Sequence, residues 1–323
     1  MTYTGAMVFQ LPPVLVAPMA GGPSTPELVN AVGFGFLAFG TCRVDEARSQ
    51  MKRARTEYGV NLFMPQQEEP SPDDVQHMAD HLGVEVPTVD LSNGYDAKFA
   101  AVMDAIDAGH GPAVVSSMFG CFTEKHITAL HDRGVEAWAT VTNAYDARRA
   151  TQRGIDRLIV QGPKAGGHRG TWSIAEIPDQ RPLPELLTAI GAVTTVPLIA
   201  AGGARNSADI ATLLEHGAQS VVCGSAFLLA DEAGTTPSNR ALLSAGGASI
   251  STRAFSGRFA RGLETAFTRA HPDLPPLYPY LNAMLKGRRS EPDLAYCLVG
   301  TGPGVIRPGP ARVIEAMLLP SQL

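Results

Sequence analysis

Cysteine is scarce in this chain, and its four copies, Cys42, Cys121, Cys223 and Cys297, stand far apart. No Cys-x-x-Cys pair occurs, which excludes a disulfide framework or a cysteine zinc site and points to reduced thiols in a cytoplasmic protein. Long apolar runs are missing too, so no segment is expected to span a bilayer. No basic residue precedes Arg43, and a secretory leader needs a basic start. Basic clusters are thin: the densest, Lys52-Arg53-Ala54-Arg55, has Glu46 and Glu57 nearby and reads as a solvated face. With a net charge of −5, nucleic acid is not an expected partner. No Gly-x-Gly-x-x-Gly dinucleotide fingerprint appears either.

What is present is ordinary globular material, 45% hydrophobic and 18% charged over 323 residues, with ample chain for a large core. Eight short apolar runs alternate with helical patterns: residues 14–17, 36–39, 60–64, 113–116, 135–141, 155–160, 197–200 and 220–223. Several are continuously apolar, as parallel strands buried on both faces are. Between the last two, Asn206 or Ser207 opens a helix with Asp209 in its first turn, Ile210, Leu213 and Leu214 on one stripe, and His216-Gly217 as its stop. Ser24-Thr25-Pro26-Glu27 has capping-box spacing, and Ser71-Pro72 opens another helix that closes at Gly83. Eight such units predict an α/β fold, a (β/α)8 TIM barrel, over residues 1–230. An open doubly wound sheet is disfavoured, because glycine loops follow strands 1, 6, 7 and 8, and only a barrel brings these to one rim. Residues 231–323 lose the alternation and read as a mostly helical extension that caps this rim and the active site.

Chemistry is concentrated in three glycine loops. Gln161-Gly-Pro-Lys-Ala-Gly-Gly-His168-Arg-Gly170 follows the sixth run. Adjacent glycines permit close backbone approach, and His168 beside them titrates near neutrality when unperturbed. Ala200-Ala-Gly-Gly203 and Cys223-Gly-Ser225 end the seventh and eighth runs and lead straight into helices. Free N–H groups at such junctions bind phosphate, and strands 7 and 8 are the recurrent phosphate site of barrels. Either loop alone could be a simple tight turn; two at adjacent strand ends favour a phosphorylated cofactor.

In these pieces the chain resembles the nitronate monooxygenase family (once called 2-nitropropane dioxygenases), FMN-dependent barrels. The resemblance runs in order through Ala17-Pro-Met-Ala-Gly-Gly22, Val60-Asn-Leu-Phe63, Gln161 through Gly170, Ala200 through Gly203, Cys223-Gly-Ser225, Thr252-Arg-Ala-Phe-Ser-Gly-Arg258 with Ala260-Arg-Gly262, and Pro308-Gly-Pro310. It implies that Pro18, Met19 and Ala20 pack on the flavin ring. Asn61 and Gln161 would bond its polar groups. Gly166, Gly167, Ala201, Gly202, Gly203, Val222, Cys223, Gly224 and Ser225 would surround the ribityl chain and phosphate. His168 takes the family's active-site histidine position. The implied reaction is one-electron oxidation of an alkyl nitronate, or of a nitroalkane, by FMN, followed by dioxygen chemistry yielding a carbonyl compound and nitrite. A neutral imidazole would take the proton beside a nitro group; an N–H donor would stabilise nitronate oxygens. The absent dinucleotide fingerprint favours FMN over FAD or NAD.

The expected partners are a small nitronate or nitro substrate and dioxygen, with a homodimer as the assembly if one forms, and no membrane. An FMN-dependent enoyl-thioester (enoyl-ACP) reductase using NAD(P)H shares the barrel and the Ala-Gly-Gly-His loop and is the alternative, and a noncatalytic phosphate-ligand sensor is a third. His77 and His81 have the i, i+4 spacing of a metal pair, but Asp73, Asp74 and Asp80 around them make a polar surface the simpler reading, and no metal is expected. His110, His126, His131, His216 and His271 show no partner. Tyr278, Tyr280 and Tyr296 read as packing residues of a proline-rich cover, and Met118-Phe119-Gly120 as either a pocket wall or core. Two departures from the family bear on the substrate: the aromatic pattern of residues 278–302 differs, and Lys164 stands where an acidic residue is common, which suits an anion.

Overall fold

Strands buried on both faces suit a parallel barrel, whose outer face is covered by helices and whose interior is filled by side chains. The computed structural model, which describes residues 11–320, has eight parallel strands. They are β1 (Val14–Val16), β2 (Phe36–Ala38), β3 (Gly59–Phe63), β4 (Val114–Met118), β5 (Glu136–Val141), β6 (Arg157–Gln161), β8 (Leu198–Ala201) and β9 (Ala218–Cys223). The order β1-β9-β8-β6-β5-β4-β3-β2 is completed by a parallel bridge from Val16 to Gly35, just ahead of β2. The expected (β/α)8 barrel is therefore present, and each of the eight apolar runs overlaps one of its strands.

Alternation along the strands sorts side chains into layers. At the N-terminal ends Arg157 forks onto Glu136 at 2.8 and 3.1 Å, and also bonds Gln219. Leu15, Phe36, Val114, Trp138, Ile159, Ile199 and Val222 fill the middle. The Phe36 ring occupies the space where a Cβ on Gly59 would sit, 2.3 Å from it. Toward the C-terminal ends the same alternation turns polar, with Asn61, Ser116, Thr140 and Gln161. Odd-numbered Val221 and Cys223 face out into the helix layer instead.

Helix starts follow local chemistry. Asn206 caps the helix Ser207–Glu215 by accepting from Asp209 N at 2.9 Å, and Gly217 follows with φ +89°. Ser71 caps Pro72–Leu82, which closes at Gly83. The capping-box reading of Ser24 needs correction. Thr25 caps Pro26–Asn30, while the Ser24 hydroxyl turns back to accept from Met19 N at 2.8 Å and donate to Ala17 O at 3.3 Å. A serine one place earlier is better placed to tie the loop after β1, and it leaves the cap to its neighbour.

The segment beyond residue 230 is not helical throughout. It supplies β10 (Ser249–Thr252) and β11 (Ala260–Leu263), and with the two-residue β7 (Gly167–His168) they form an antiparallel sheet in the order β10-β11-β7. Helix Tyr280–Leu285 joins Pro72–Leu82 in a small second core of Val75, Met78, Leu277, Leu281 and Leu285. Among the described residues, no helix is long and apolar enough to cross a membrane.

Removing one member of a buried ion pair strands its partner, at a cost of about 3 kcal/mol or more, whereas replacing both with apolar residues is far milder. Glu136→Ala is expected to lower unfolding free energy by about 3 kcal/mol, and Glu136→Leu with Arg157→Met to recover most of that. Urea denaturation of the single and double variants checks this; equal losses in the two would show that the stranded guanidinium is not the cause.

Candidate active site

The loop after β6 is held by its own strand end. The Gln161 amide nitrogen donates to His168 O and its oxygen accepts from Gly170 N, both at 2.8 Å. The far side is held by the extension: His168 registers opposite Ala260, Gly167 opposite Arg261, and Arg169 N donates to Phe259 O at 2.8 Å. Gly166 is a close-approach glycine, since a Cβ there would meet Gly300 N at 2.5 Å. The backbone of residue 168 is thus clamped between barrel and extension.

Its side chain is half-buried and enclosed by groups from three separate segments. The Phe119 ring, just past β4, stands edge-on at 5.8 Å, and the Tyr278 ring at 5.7 Å. Phe119 adopts φ +69°, an uncommon conformation for a non-glycine residue. Ser256 Oγ lies 2.7 Å from His168 Nε2 and 3.4 Å from Arg258 O. Burial, and then the charges of Arg258 and Arg289, push the His168 pKa down to about 3. The ring is therefore neutral at physiological pH. Nδ1 has no protein hydrogen-bond partner among the described residues.

Arg258 is 2% exposed and lies over the Phe119 ring at 4.1 Å and the Tyr278 ring at 5.6 Å. Burial pushes its pKa down to about 10, so it stays charged. The Tyr278 phenol is raised by burial and partly pulled back by Arg258. Arg289 lies 4.4 Å over Tyr296 and donates to Phe255 O at 2.5 Å. Gly257 makes the assembly possible: with φ +96°, a Cβ there would be 2.3 Å from Leu277 C and Tyr278 N, while its carbonyl accepts from Leu277 N at 2.9 Å. Only a bare backbone lets Ser256 and Arg258 stand beside Tyr278.

The second focus is the pair of loops after β8 and β9. Among the described residues the backbone N–H groups of Gly202, Gly203, Gly224 and Ser225 have no protein acceptor. The loops do not lead straight into long helices, since Gly203 lies three residues before the Asn206 cap and Ser225 opens a three-residue 3-10 turn. Two neighbouring sets of free backbone donors in glycine loops nevertheless suit a phosphate. A cavity beside them is lined by Arg205, Asn206, Ser225 and Thr301, and the buried Thr301 Oγ1 lacks a partner. The loop after β1 comes to the same place: a Cβ on Gly224 would lie 3.8 Å from Met19 Cγ. Pro18, Met19 and Ala20 keep partly open surface there, and Ala201 and Val222 line the barrel interior.

Other expected residues are arranged differently from one another. Asn61 is buried and donates to Ser116 Oγ at 2.9 Å. Both ends of the Gln161 amide hold the histidine loop. The Cys223 thiol is buried in the helix layer, with its pKa pushed up to about 12 by burial, so only its backbone faces the loops. Lys164 is exposed, its stem against Gly203. His81 Nε2 meets His271 Nε2 at 3.0 Å, yet no group of three metal-ligating side chains converges among the described residues. Tyr278, read from sequence as packing, belongs to the histidine cage, and Phe119 is its wall. Ser256 and Arg258 complete the cage from the segment between β10 and β11. Their sequence signal is the cluster of Arg253, Arg258 and Arg261 in a stretch that has no carboxylate until Glu264.

A sequence-family model described as nitronate monooxygenase matches residues 6–293. A nitronate monooxygenase of Paraburkholderia phytofirmans is 33% identical over 273 residues, 79% of this chain and 74% of that protein. A probable nitronate monooxygenase of Staphylococcus saprophyticus is 29% identical over 307 residues, 86% and 84% of the two chains. Among solved structures, a nitroalkane oxidase from Streptomyces ansochromogenes superimposes with a TM-score of 0.83 at 32% identity, covering 95% of this chain and 94% of that one. FabK from Thermotoga maritima gives 0.71 at 23% identity, covering 95% and 91%, a likeness of fold alone.

Two outcomes are expected from this geometry. Gly257→Ala forces the backbones at 257 and 277–278 apart, and should lower thermal stability and open the histidine cage, measured as a drop in Tm together with loss of activity. His168 binds a proton near pH 6.5 when unfolded but only near pH 3 when folded. The unfolded chain therefore takes up more protons between those values, and the stability His168 contributes at neutral pH is lost as pH falls through that window. Urea denaturation across pH 4–7 should show a shallower acid decline for His168→Asn than for the unsubstituted protein.

Proposed function

This chain belongs to the nitronate monooxygenase family, and on that premise we propose that it takes the anionic nitronate, rather than the neutral nitroalkane, as its substrate, with FMN as its flavin. It is a flavin-dependent oxidoreductase that oxidises alkyl nitronates with dioxygen to a carbonyl compound and nitrite. The observation that carries the choice of substrate form is the environment of His168. An imidazole that holds a proton only near pH 3 is a weak base toward a carbon acid at neutral pH, because general bases work best with a pKa near the working pH. A preformed nitronate needs no proton removed. It needs an orienting hydrogen-bond donor and positive charge nearby, and His168 and Arg258 stand together in one cage.

The residues fit a flavin mononucleotide. In this reading the free N–H groups of Gly202, Gly203, Gly224 and Ser225 take the phosphate. Pro18, Met19 and Ala20 would meet the ring, and Ala201 and Val222 would lie along the ribityl chain. Gly166 and Gly167 leave room along the ribityl chain. Asn61 sits among the polar residues that end the strands, Cys223 contributes its backbone, and Gln161 acts by fixing the loop that presents His168. Bound FMN supplies the redox chemistry, accepting an electron from the substrate and passing reducing equivalents to dioxygen. The chain's own part is to orient the nitronate, to stabilise its charge and to wall it off with Phe119 and Tyr278. The division into a barrel at 1–230 and a capping extension at 231–323 belongs to this proposal. So does a cytoplasmic location, supported by four unpaired cysteines.

The FMN-loaded protein is expected to consume oxygen and release nitrite with an alkyl nitronate and no nicotinamide present. Turnover of the parent nitroalkane, kept neutral, should be slower by roughly 10²-fold, the smaller end of what a well-matched general base contributes. Equal rates on both forms would defeat the assignment of substrate form. No oxygen uptake, with rapid bleaching of the flavin by a reduced nicotinamide, would move the activity to the enoyl-thioester reductase class.

A further inference from the structure

Buried charges are usually paired, as buried Arg157 is with Glu136, but the three arginines around the histidine loop depart from that rule. Arg48, Arg133, Arg181 and Arg288 sit at the surface on Asp104, Asp107, Asp179 and Glu291. Arg169, Arg258 and Arg289 surround the histidine loop, and among the described residues none has a carboxylate within 4.0 Å.

Arg258 is the extreme case. Its Nη1 donates to Thr171 O at 2.5 Å and to Thr171 Oγ1 at 3.3 Å, while its buried Nε has no acceptor. The carboxylates whose charge reaches it are Glu68 and Glu176. Both are engaged elsewhere, Glu68 with Ser173 Oγ at 2.6 Å and Glu176 with Asn143 at 2.9 Å. The other groups around it, His168, Tyr278 and Arg289, offer a neutral imidazole, a phenol and a second positive charge. Aromatic faces offset part of the desolvation of a guanidinium and supply no acceptor for its N–H groups. A charged donor left in this state is balanced when an anion enters.

Resting on the nitronate reading above, we infer that Arg258 is the residue that anchors the anionic group of the substrate in the His168 cage. A guanidinium recognises two coplanar oxygens on one centre through a fork of N–H donors. The chemical class is therefore a planar oxyanion: a nitronate, and by the same geometry the nitrite that leaves. The residue selects for charge, and Phe119 and Tyr278 select for a flat group.

The test uses the FMN-loaded protein and sodium nitrite as probe, by titration calorimetry at constant ionic strength with chloride as control, so that it does not depend on turnover. Nitrite is expected to bind with an affinity that stays level between pH 6 and 9. Arg258→Met should weaken it by roughly a hundredfold, the loss of a bidentate charged contact. Arg258→Lys should recover part of it as a point charge. With nitronate as substrate, Arg258→Met should raise KM far more than it lowers kcat. Nitrite binding unchanged in a folded, FMN-containing Arg258→Met protein overturns the inference. So does loss of FMN or of folding in both variants, which would make Arg258 a structural strut. Charge-selective nitrite binding in a protein that does not oxidise nitronates would leave the anion anchor standing and remove the proposed reaction instead.

Discussion

The backbone pairing of Gly167-His168 with Ala260-Arg261 is the constraint on which the site depends. A loop at the end of a barrel strand has many conformations open to it, and ordering each residue costs about 1–2 kcal/mol of backbone entropy. Here the loop is ordered from both sides, by the Gln161 amide below and by β11 above. The consequence reaches past residue 168. Once Ala260 is in register with His168, Ser256 and Arg258 lie a few residues upstream along the same segment, within reach of the imidazole and the Phe119 ring. The contact of Gly257 with Leu277 and Tyr278 then brings in the last wall. Histidine, serine, arginine and tyrosine are thus joined by backbone contacts, which are less forgiving than side-chain packing.

This arrangement explains why much of the fold was legible in the sequence and the chemistry less so. The barrel strands are apolar because they are buried on both faces, a property each run carries by itself. Helix starts at Asn206 and Ser71 are local as well. The failure at Ser24 is instructive: two hydroxyl residues stood side by side, and a tertiary demand from the loop after β1 decided which became the cap. Strands β10 and β11, Ser249-Ile-Ser-Thr252 and Ala260-Arg-Gly-Leu263, carry no continuous apolar run, and they make sense only as part of a sheet with β7, about ninety residues earlier. Tyr278 and Phe119 were visible as aromatic residues. What made them part of the site was the cage geometry, which no spacing along the chain encodes. His168 announced itself because adjacent glycines and a strand end are local signals.

The roles of the two amides sharpen this contrast. Asn61 and Gln161 look alike as polar residues at strand ends, and the family resemblance gives both to the cofactor. In the folded chain the Gln161 amide is engaged at both ends by its own loop. Its influence on a ligand would then pass through the position of His168. A residue can be required at a site for the backbone it holds rather than for any contact with what binds there.

Charge presents the remaining problem, because an acidic protein of formal net charge −5 would have to admit an anion. Distance resolves it. Fields from solvated charges fade over about 8 Å at physiological ionic strength, and the surface carboxylates of Asp104, Asp107 and Glu291 have arginine partners that cancel their reach. Inside the cage the dielectric is low and no carboxylate intervenes, so the guanidiniums of Arg258 and Arg289 act at close range almost unscreened. Burial first, and then the same two charges, hold His168 neutral. A protonated histidine would add a third positive charge to a pocket that already has two, at a further desolvation cost, and it would gain little that Arg258 does not supply. Fixed arginine charge and a neutral imidazole are therefore parts of one solution: the positive potential comes from a group that does not titrate near neutrality, and the histidine is left as a hydrogen-bonding partner whose state does not change with pH in the range where the protein works.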